Sequence, residues 1–189
     1  GNKMNITVYC GAALGNVPAY QQATIELGKW LAQHHHRLIY GGGKAGLMGL
    51  LADTVLSHGG EVIGVIPAFL REREVAHSGC TEIIVVNSMA ERKAKMLAFA
   101  DACIALPGGP GTLEEICEVY SWSRIGQNPH PCILFNQNGF YEPLRSLYQS
   151  MVNEGFLSQT HFDKLLFSTD LLEIEQFIKF YQAPEIRTY

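Results

Sequence analysis

Charged residues are scarce in this sequence. Asp, Glu, Lys and Arg make up 17% of its 189 residues, whereas a typical globular protein has about 25%. The formal net charge is −4, so the chain lacks the excess of positive charge that general nucleic-acid binding requires. We therefore expect no nucleic-acid partner. The low charge fits either a surface covered by a second subunit or a plain polar surface.

Long hydrophobic runs are also lacking. The longest candidate, around residues 62–70, is interrupted by Pro67 and followed by Arg71, and it falls short of the ~20 residues that cross a bilayer. We expect no membrane association. No apolar signal region follows the N-terminus. Because Gly1 precedes an internal Met4, residues 1–4 are expected to be a disordered or tag-derived start.

The five cysteines form no Cys-x-x-Cys pair, and their odd number argues against a disulfide scaffold. Reduced, buried thiols are typical of a cytoplasmic protein. The three consecutive histidines at 34–36 do not share one helix face. This pattern favours a solvated turn over a metal site, and we expect no metal.

Short, almost wholly apolar strands alternate with longer helical segments. Such strands are buried on both faces, and the alternation predicts a Rossmann-like, doubly wound α/β fold with one parallel sheet flanked by helices. We expect a single nucleotide-binding domain over 1–189, with a tail at 182–189. Predicted strands are 6–9, 38–40, 61–66, 83–86, 102–106 and 132–135, with a further short segment at 165–167; predicted helices are 18–33, 45–57, 89–100, 113–125, 143–153 and 171–181. The charged stretch 67–80 is either a solvated loop or a lid.

Glycine is plentiful, with 19 residues, and clusters at predicted strand ends, where ligands bind to parallel sheets. Gly41, Gly43 and Gly46 match the G-x-G-x-x-G turn of dinucleotide-binding proteins. The acidic residue that would hold the ribose is missing, since Glu61 begins the next strand instead of ending it. We expect no nicotinamide or flavin cofactor. Close helix–strand packing explains this loop at least as well as ligand contact.

A second glycine cluster, Pro-Gly-Gly-Pro-Gly-Thr at 107–112, follows a buried strand and opens an amphipathic helix. Gly108, Gly109 and Gly111 leave backbone N–H groups uncovered at the helix N-terminus. Free N–H donors and the positive end of the helix dipole both favour a phosphate there. The Thr112 hydroxyl could bond either the helix or the phosphate.

Glu115 has two interpretations. Thr112 and Glu115 have the spacing of a capping box, in which the carboxylate only reaches back to the start of the helix. However, Glu114 and Glu115 are consecutive carboxylates, and only one can serve that cap. A carboxylate beside a bound sugar phosphate has chemical uses, so both interpretations stay open.

A basic segment opens the helix predicted over 89–100. Ser88 and Glu91 have capping-box spacing, and Arg92, Lys93 and Lys95 follow. Cations near a helix N-terminus are unfavourable by up to ~1 kcal/mol each, which indicates a nearby anion. Arg92, one turn into the helix, is placed to face the glycine loop at 107–112.

Three motifs together resemble the LOG family of cytokinin riboside 5'-monophosphate phosphoribohydrolases, long mislabelled as lysine decarboxylases. They are Gly-Gly-Gly-x-x-Gly-Leu-Met-Gly at 41–49, Met-x-x-Arg-Lys at 89–93 and Pro-Gly-Gly-x-Gly-Thr-x-x-Glu at 107–115. The resemblance runs from about residue 6 to residue 155. It implies cofactor-free hydrolysis of the N-glycosidic bond of a nucleoside 5'-monophosphate (AMP or an N6-modified, cytokinin-type AMP) to free base and ribose 5-phosphate. It also implies a homodimer with the site near the subunit interface.

The resemblance assigns roles to particular residues. The family's catalytic Arg and Glu fall on Arg92 and Glu115, and its phosphate loop falls on Gly108, Gly109, Gly111 and Thr112. Glu115 would stabilise an oxocarbenium-like state or deprotonate the attacking water. Arg92 would hold Glu115 in a charge-assisted pair, and Lys93 would make a secondary contact. Glu74 and His77, in the stretch 67–80, are candidate base or ribose contacts.

The sequence departs from the family pattern at several positions. Ala90 stands where His is usual, Ala12 and Ala13 replace two serines, Lys44 replaces a small polar residue, and Pro110 replaces a frequent aromatic residue. The Arg–Glu pair is intact, so these departures bear on substrate choice and rate.

The sequence also bears on two other functions. Pyridoxal phosphate chemistry needs a Schiff-base lysine, and none of the seven lysines lies in a recognisable cofactor site, which argues against a decarboxylase. The alternative to the hydrolase is a non-catalytic nucleotide- or cofactor-binding module of the same fold, acting as a sensor or carrier.

Overall fold

A computed structural model describes residues 3–189. Gly1 and Asn2, half of the expected disordered or tag-derived start, lie outside the described residues. The strands are β1 (Asn5–Tyr9), β2 (Arg37–Tyr40), β3 (Val62–Pro67), β4 (Glu82–Val86), β5 (Ala102–Ala105), β6 (Cys132–Phe135) and β7 (Leu165–Ser168). The helices are α1 (Pro18–Gln33), α2 (Gly46–Ser57), α3 (Met89–Phe99), α4 (Pro110–Ser123), α5 (Glu142–Asn153), α6 (Gln159–Phe162) and α7 (Leu171–Phe180).

The strands form one parallel sheet in the order β4-β3-β2-β1-β5-β6-β7. The chain moves outward from β1 to β4 and then returns to place β5 beside β1. Helices α1, α2 and α7 pack on one face, and α3 to α6 pack on the other. The predicted doubly wound α/β fold is therefore confirmed. The helices that follow β1 and β5 lie on opposite faces, which opens a crevice at the carboxyl ends of these two strands.

Both faces of the strands are buried, as the apolar runs predicted. In β1, Ile6 and Val8 enter the core under α1 and α2, whereas Tyr9 enters the opposite core. The polar Thr7 is accommodated because its hydroxyl donates to the carbonyl of Met96 in α3, at 2.6 Å. No helix between residues 3 and 189 has both the length and the apolar character that crossing a bilayer demands.

The predicted elements match the structure closely, with two instructive differences. The four-residue α6 was missed because it is too short to show a helical period, although Ser158 caps it. Helix α4 begins at Pro110, three residues before the predicted start, because proline suits the first turn of a helix.

The stretch 67–80 lies across the carboxyl end of β2, on the first glycine loop. Ala76 pairs with Gly43 in an antiparallel bridge, and the His77 N–H donates to the Gly42 carbonyl at 2.9 Å. The Lys44 N–H donates to the carbonyl of Val75 at 2.7 Å. Val75 has a φ of +51°, an unusual value for a β-branched residue. The stretch covers the first glycine loop while most of its side chains stay exposed, and we call residues 67–80 the lid loop.

The glycines between positions 41 and 49 allow neighbouring groups to approach the backbone closely. A Cβ at Gly41 would overlap the guanidinium of Arg92, and one at Gly46 would overlap the backbone of Ala12. Gly49, inside α2, faces the carbonyl of Lys44 at a distance that leaves no room for a methyl group. These contacts favour the packing interpretation over a dinucleotide-binding turn.

We expect Gly49→Ala to destabilise the protein although alanine normally favours a helix by about 1 kcal/mol over glycine. The added methyl must displace the Lys44 backbone, and such overpacking costs about 1–3 kcal/mol. Gly111→Ala is the matched control, because Gly111 also lies in a helix but has open space around it. Urea unfolding should show a loss for the first variant and no loss for the second. Equal stabilities would contradict the packing argument.

Candidate active site

Arg92 is buried at the carboxyl edge of the sheet, with 5% of its surface exposed. Its Nε donates to the carbonyl of Val65 in β3 at 3.0 Å, and its Nη2 donates to the carbonyl of Gly41, just after β2, at 2.5 Å. Nη2 also lies 3.2 Å from Oε2 of Glu74 in the lid loop. These contacts fix the plane and orientation of the guanidinium.

The start of α3 places Arg92 at this edge. The Ser88 hydroxyl accepts from the Glu91 N–H at 3.1 Å, as the capping-box spacing predicted. The Glu91 carboxylate accepts from the N–H of Asn87 at 2.8 Å, one residue further back than in the standard box. The helix start is therefore well defined, and Arg92 follows in its first turn.

Glu115 lies in the second turn of α4 and is free of any capping role. Gly109 is the N-cap of α4 and no side chain caps the helix, so the capping box considered for Thr112 and Glu115 does not form. The helix starts at Pro110, earlier than that box would require. The carboxylate of Glu115 is thus available for other contacts.

The environment of Glu115 changes its acidity. Burial raises the pKa of this carboxyl group to about 7. The positive charges of Arg92 and Lys93 oppose the rise, and the carboxylates of Glu114 and Glu74 add to it. At neutral pH both protonation states are populated, which suits a group that exchanges protons or balances positive charge during a reaction.

The prediction of an ion pair between Arg92 and Glu115 is wrong. Among the residues that the structure describes, the carboxylate within 4.0 Å of Arg92 is that of Glu74. The physical reason is that the carbonyls of Gly41 and Val65 hold the guanidinium above β2 and β3, where the lid loop supplies its own carboxylate. Arg92 still acts on Glu115 through its charge.

Lys93 connects the two helices that carry the site. Its Nζ lies 2.9 Å from Glu114 and 3.0 Å from Glu118, both in α4. These two carboxylates raise the pKa of the Lys93 ammonium. Lys93 therefore links α3 to α4 and partly balances Glu114.

His77 is directed away from Arg92 and Glu115. Its Nδ1 accepts from the N–H of Gly79 at 3.0 Å, so the ring proton lies on Nε2, which faces the carboxylate of Asp53 in α2 at 2.5 Å. This ring anchors the lid loop to α2. Of the two lid-loop candidates for substrate contact, Glu74 reaches the site and His77 does not.

The glycines at the start of α4 differ in their surroundings. Gly108 is packed against the Thr112 side chain and the N–H of Gly11, whereas Gly109 and Gly111 have nothing within 4 Å of a Cβ position. The first helical hydrogen bond runs from Leu113 to Gly109, so the N–H groups of Gly111 and Thr112 precede the ladder and lack helical partners. This arrangement can hold an anion.

A cavity of about 400 Å³ adjoins this helix start. Its walls include residues 11–15 after β1, Gly108 and Gly109 after β5, and the aromatic rings of Tyr20 and Phe140. The two rings meet edge to face at 5.7 Å. The sequence does not predict this aromatic wall, because Tyr20 and Phe140 come from segments that are far apart in the chain.

No three His, Cys, Asp or Glu side chains converge as metal ligands anywhere in the part of the chain that the structure describes. The groups at this edge are a fixed guanidinium, a carboxyl group with a raised pKa and a set of free backbone N–H donors. Together they can bind a phosphate ester and balance a positive charge beside it.

Comparisons with known proteins agree with this chemistry. A family model described as "possible lysine decarboxylase" matches residues 48–176. The rice (Oryza sativa subsp. japonica) cytokinin riboside 5'-monophosphate phosphoribohydrolase LOG is 49% identical over 82% of this chain and 64% of its own length. A cytokinin riboside 5'-monophosphate phosphoribohydrolase of Rhodococcoides fascians is 44% identical over 88% of this chain and 85% of its own length.

The fold is shared more widely. The Moco carrier protein from Chlamydomonas reinhardtii superposes with a TM-score of 0.70 and 20% identity, covering 94% of this chain and 99% of that chain. At this identity the likeness concerns the fold alone. The matching family model and the relatives at 44–49% identity show that the chain belongs to the LOG family, whose curated members are cytokinin riboside 5'-monophosphate phosphoribohydrolases.

Proposed function

We propose that this chain hydrolyses the N-glycosidic bond of a nucleoside 5'-monophosphate, AMP or an N6-modified cytokinin-type AMP, to free base and ribose 5-phosphate. The family supplies the reaction class. The observation that carries the proposal is the position of Glu115: a partly buried carboxyl group with a pKa of about 7, in the second turn of a helix whose N-terminus is open to an anion.

Glu115 is the proposed catalytic carboxylate. Breaking a ribosyl C–N bond builds positive charge on the ribose ring, as in glycoside hydrolysis. The ionised Glu115 can stabilise that charge, and its low-dielectric surroundings strengthen the interaction. With a pKa close to neutrality, it can also take a proton from the attacking water.

Arg92 is the proposed partner of Glu115 in catalysis. Two carbonyls and Glu74 already hold its guanidinium, so it does not have to be ordered when substrate binds. We assign it to orienting the ribose phosphate or the leaving base, while its charge keeps part of Glu115 ionised. Glu74 is the proposed contact to ribose or base, because it meets Arg92 at the site.

The start of α4 is the proposed phosphate site. The N–H groups of Gly109, Gly111 and Thr112 would bind the 5'-phosphate, Gly108 shapes the turn, and Lys93 would offset the negative charge of Glu114 beside the phosphate. Phosphate binding is remote from the reacting carbon, so its free energy can be used to position the ribose. Nucleosides without the phosphate should therefore react poorly.

We also propose a homodimer with the site near the interface. Four large apolar side chains are substantially exposed around the carboxyl edge: Phe69, Val75, Met89 and Leu113. The resemblance to the LOG family carries this proposal, and these four side chains give the edge beside the site an apolar surface that a second subunit could cover. The five cysteines are unpaired, which supports a cytoplasmic protein.

Incubation of the purified chain with AMP should release adenine, detected by chromatography. We expect Glu115→Gln and Arg92→Ala to lower the rate by a factor of about 10²–10⁴, since each removes a group that acts at the reacting centre. Glu173→Gln in α7 and Arg145→Ala in α5 are matched controls with exposed side chains and should keep wild-type rates. AMP binding without release of base would instead favour the sensor or carrier module.

The proposed phosphate site predicts that a change at Gly111 affects inhibition by one reaction product, ribose 5-phosphate, and not by the other, adenine. A methyl group at Gly111 would occupy the open space where the phosphate is placed, so Gly111→Ala should weaken inhibition by ribose 5-phosphate about tenfold or more. Inhibition by adenine, which has no phosphate, should stay unchanged. Equal weakening for both products would place the phosphate elsewhere.

Burial of Glu115 should cost stability at alkaline pH. Its pKa is about 7 in the folded chain against an ordinary 4.5. The stability that the protonated form contributes is therefore full below pH 4.5 and is lost as the pH rises through about 7. Glu115→Gln abolishes this titration, so its gain in unfolding free energy over wild type should be about 2–3 kcal/mol larger at pH 8 than at pH 5.

Urea unfolding of both proteins at the two pH values measures this difference. Glu173→Gln again serves as the control, with no pH-dependent gain expected. A gain for Glu115→Gln that is the same at both pH values would mean that the carboxyl group has an ordinary pKa.

A further inference from the structure

A second cavity, of about 820 Å³, lies at the far end of α4. It is bounded by Arg124, by residues 155–158 after α5, by His161 and by residues 182–188 of the tail. Helix α4 begins at the carboxyl edge of the sheet and ends where the chain turns back toward the start of β6. This tail cavity is therefore at the opposite edge of the sheet from Glu115.

Basic side chains dominate the charge of the tail cavity. Arg124, Lys164 and Arg187 line it, and Glu185 is the acidic residue in its lining. Among residues 3–189, none of these three cations has a carboxylate within 4.0 Å. The chain has only 14 basic residues and a net charge of −4, so unpaired cations from three segments at one cavity need an explanation.

Intramolecular contacts account for these cations only in part. Arg124 follows the last residue of α4, where a cation offsets the negative end of the helix dipole. Lys164 lies over the ring of Tyr181 at 5.5 Å, and Arg187 lies over the ring of Tyr189 at 4.7 Å. A contact with an aromatic face leaves N–H donors of both side chains free to bind an anion.

The walls of the tail cavity are held by hydrogen bonds. Arg124 Nε donates to His161 Nδ1 at 3.3 Å, so the ring proton lies on Nε2, which donates to the carbonyl of Glu185 at 3.0 Å. The N–H of Arg187 donates to the carbonyl of Arg124 at 2.9 Å, and Tyr120 donates to the carbonyl of His161 at 2.7 Å. These bonds join the tail to α4 and α6 before any ligand arrives, which lowers the entropic cost of binding.

We propose that the tail cavity binds a small phosphate-bearing molecule, with Arg124, Lys164 and Arg187 as the anion-binding side chains. Arginine suits this role because its planar fork of donors matches phosphate oxygens. A cavity of about 820 Å³ is within the size range of small-molecule sites. The proposal is independent of the hydrolase assignment, since none of these residues is near Glu115.

Titration of the ¹⁵N-labelled chain with inorganic pyrophosphate, followed by amide NMR, tests the proposal. We expect saturable shifts in residues 124–127, 155–158 and 185–188. Shifts at residues 108–112 report separately on the proposed phosphate site at α4. No saturable shift at the tail cavity, or shifts confined to 108–112, would overturn the proposal.

Charge-removing variants identify the groups that bind. The double variant Lys164→Met, Arg187→Met should weaken pyrophosphate binding at the tail cavity about tenfold or more. The matched control Lys29→Met, Arg145→Met loses the same charges from α1 and α5 and should bind as wild type. Equal weakening in both would show only a general effect of net charge and would overturn the assignment. If the double variant does not fold, Arg187→Met alone, in the exposed tail, gives the same comparison with Arg145→Met.

Discussion

The guanidinium of Arg92 is the interaction on which the arrangement of this site depends. It satisfies backbone carbonyls at the ends of β2 and β3 and meets the carboxylate of Glu74 in the lid loop. A single buried cation thus joins two strands, a helix and a lid. Without it, two carbonyls would lose their donors and Glu74 would lose its counter-charge, so the shape of the carboxyl edge follows from this one side chain.

This arrangement explains a sequence motif that otherwise points to a different ligand. Glycine is favoured at position 41 because a Cβ there would overlap the guanidinium of Arg92 as its hydrogen bonds hold it. The G-x-G-x-x-G pattern therefore reflects the fit of a backbone around a buried arginine and a neighbouring loop. By contrast, Gly109 and Gly111 face open space, and there the absence of a side chain leaves the proposed phosphate site accessible.

The sequence predicts the helices and strands of this protein better than it predicts the side-chain contacts between distant segments. Apolar strands, helical periods and the Ser88 cap follow from residues near each other in the chain, and α1 and β6 have the predicted bounds. The partners of Arg92 could not be predicted, because Glu74 lies in a loop without periodicity and the carbonyls of Gly41 and Val65 carry no signal in residue type. The aromatic wall of Tyr20 and Phe140 could not be predicted either, because its two rings come from segments 120 residues apart.

The backbone of Val75 introduces conformational strain into the lid loop. Its φ of +51° puts a β-branched residue in a left-handed conformation, at a cost of about 1–2 kcal/mol. The contacts of Gly42, Lys44 and Arg92 with the loop hold Val75 there. The strain at Val75 therefore offsets part of the stability that these contacts give to the lid loop, and the loop is held less firmly than its hydrogen bonds and ion pair alone would hold it.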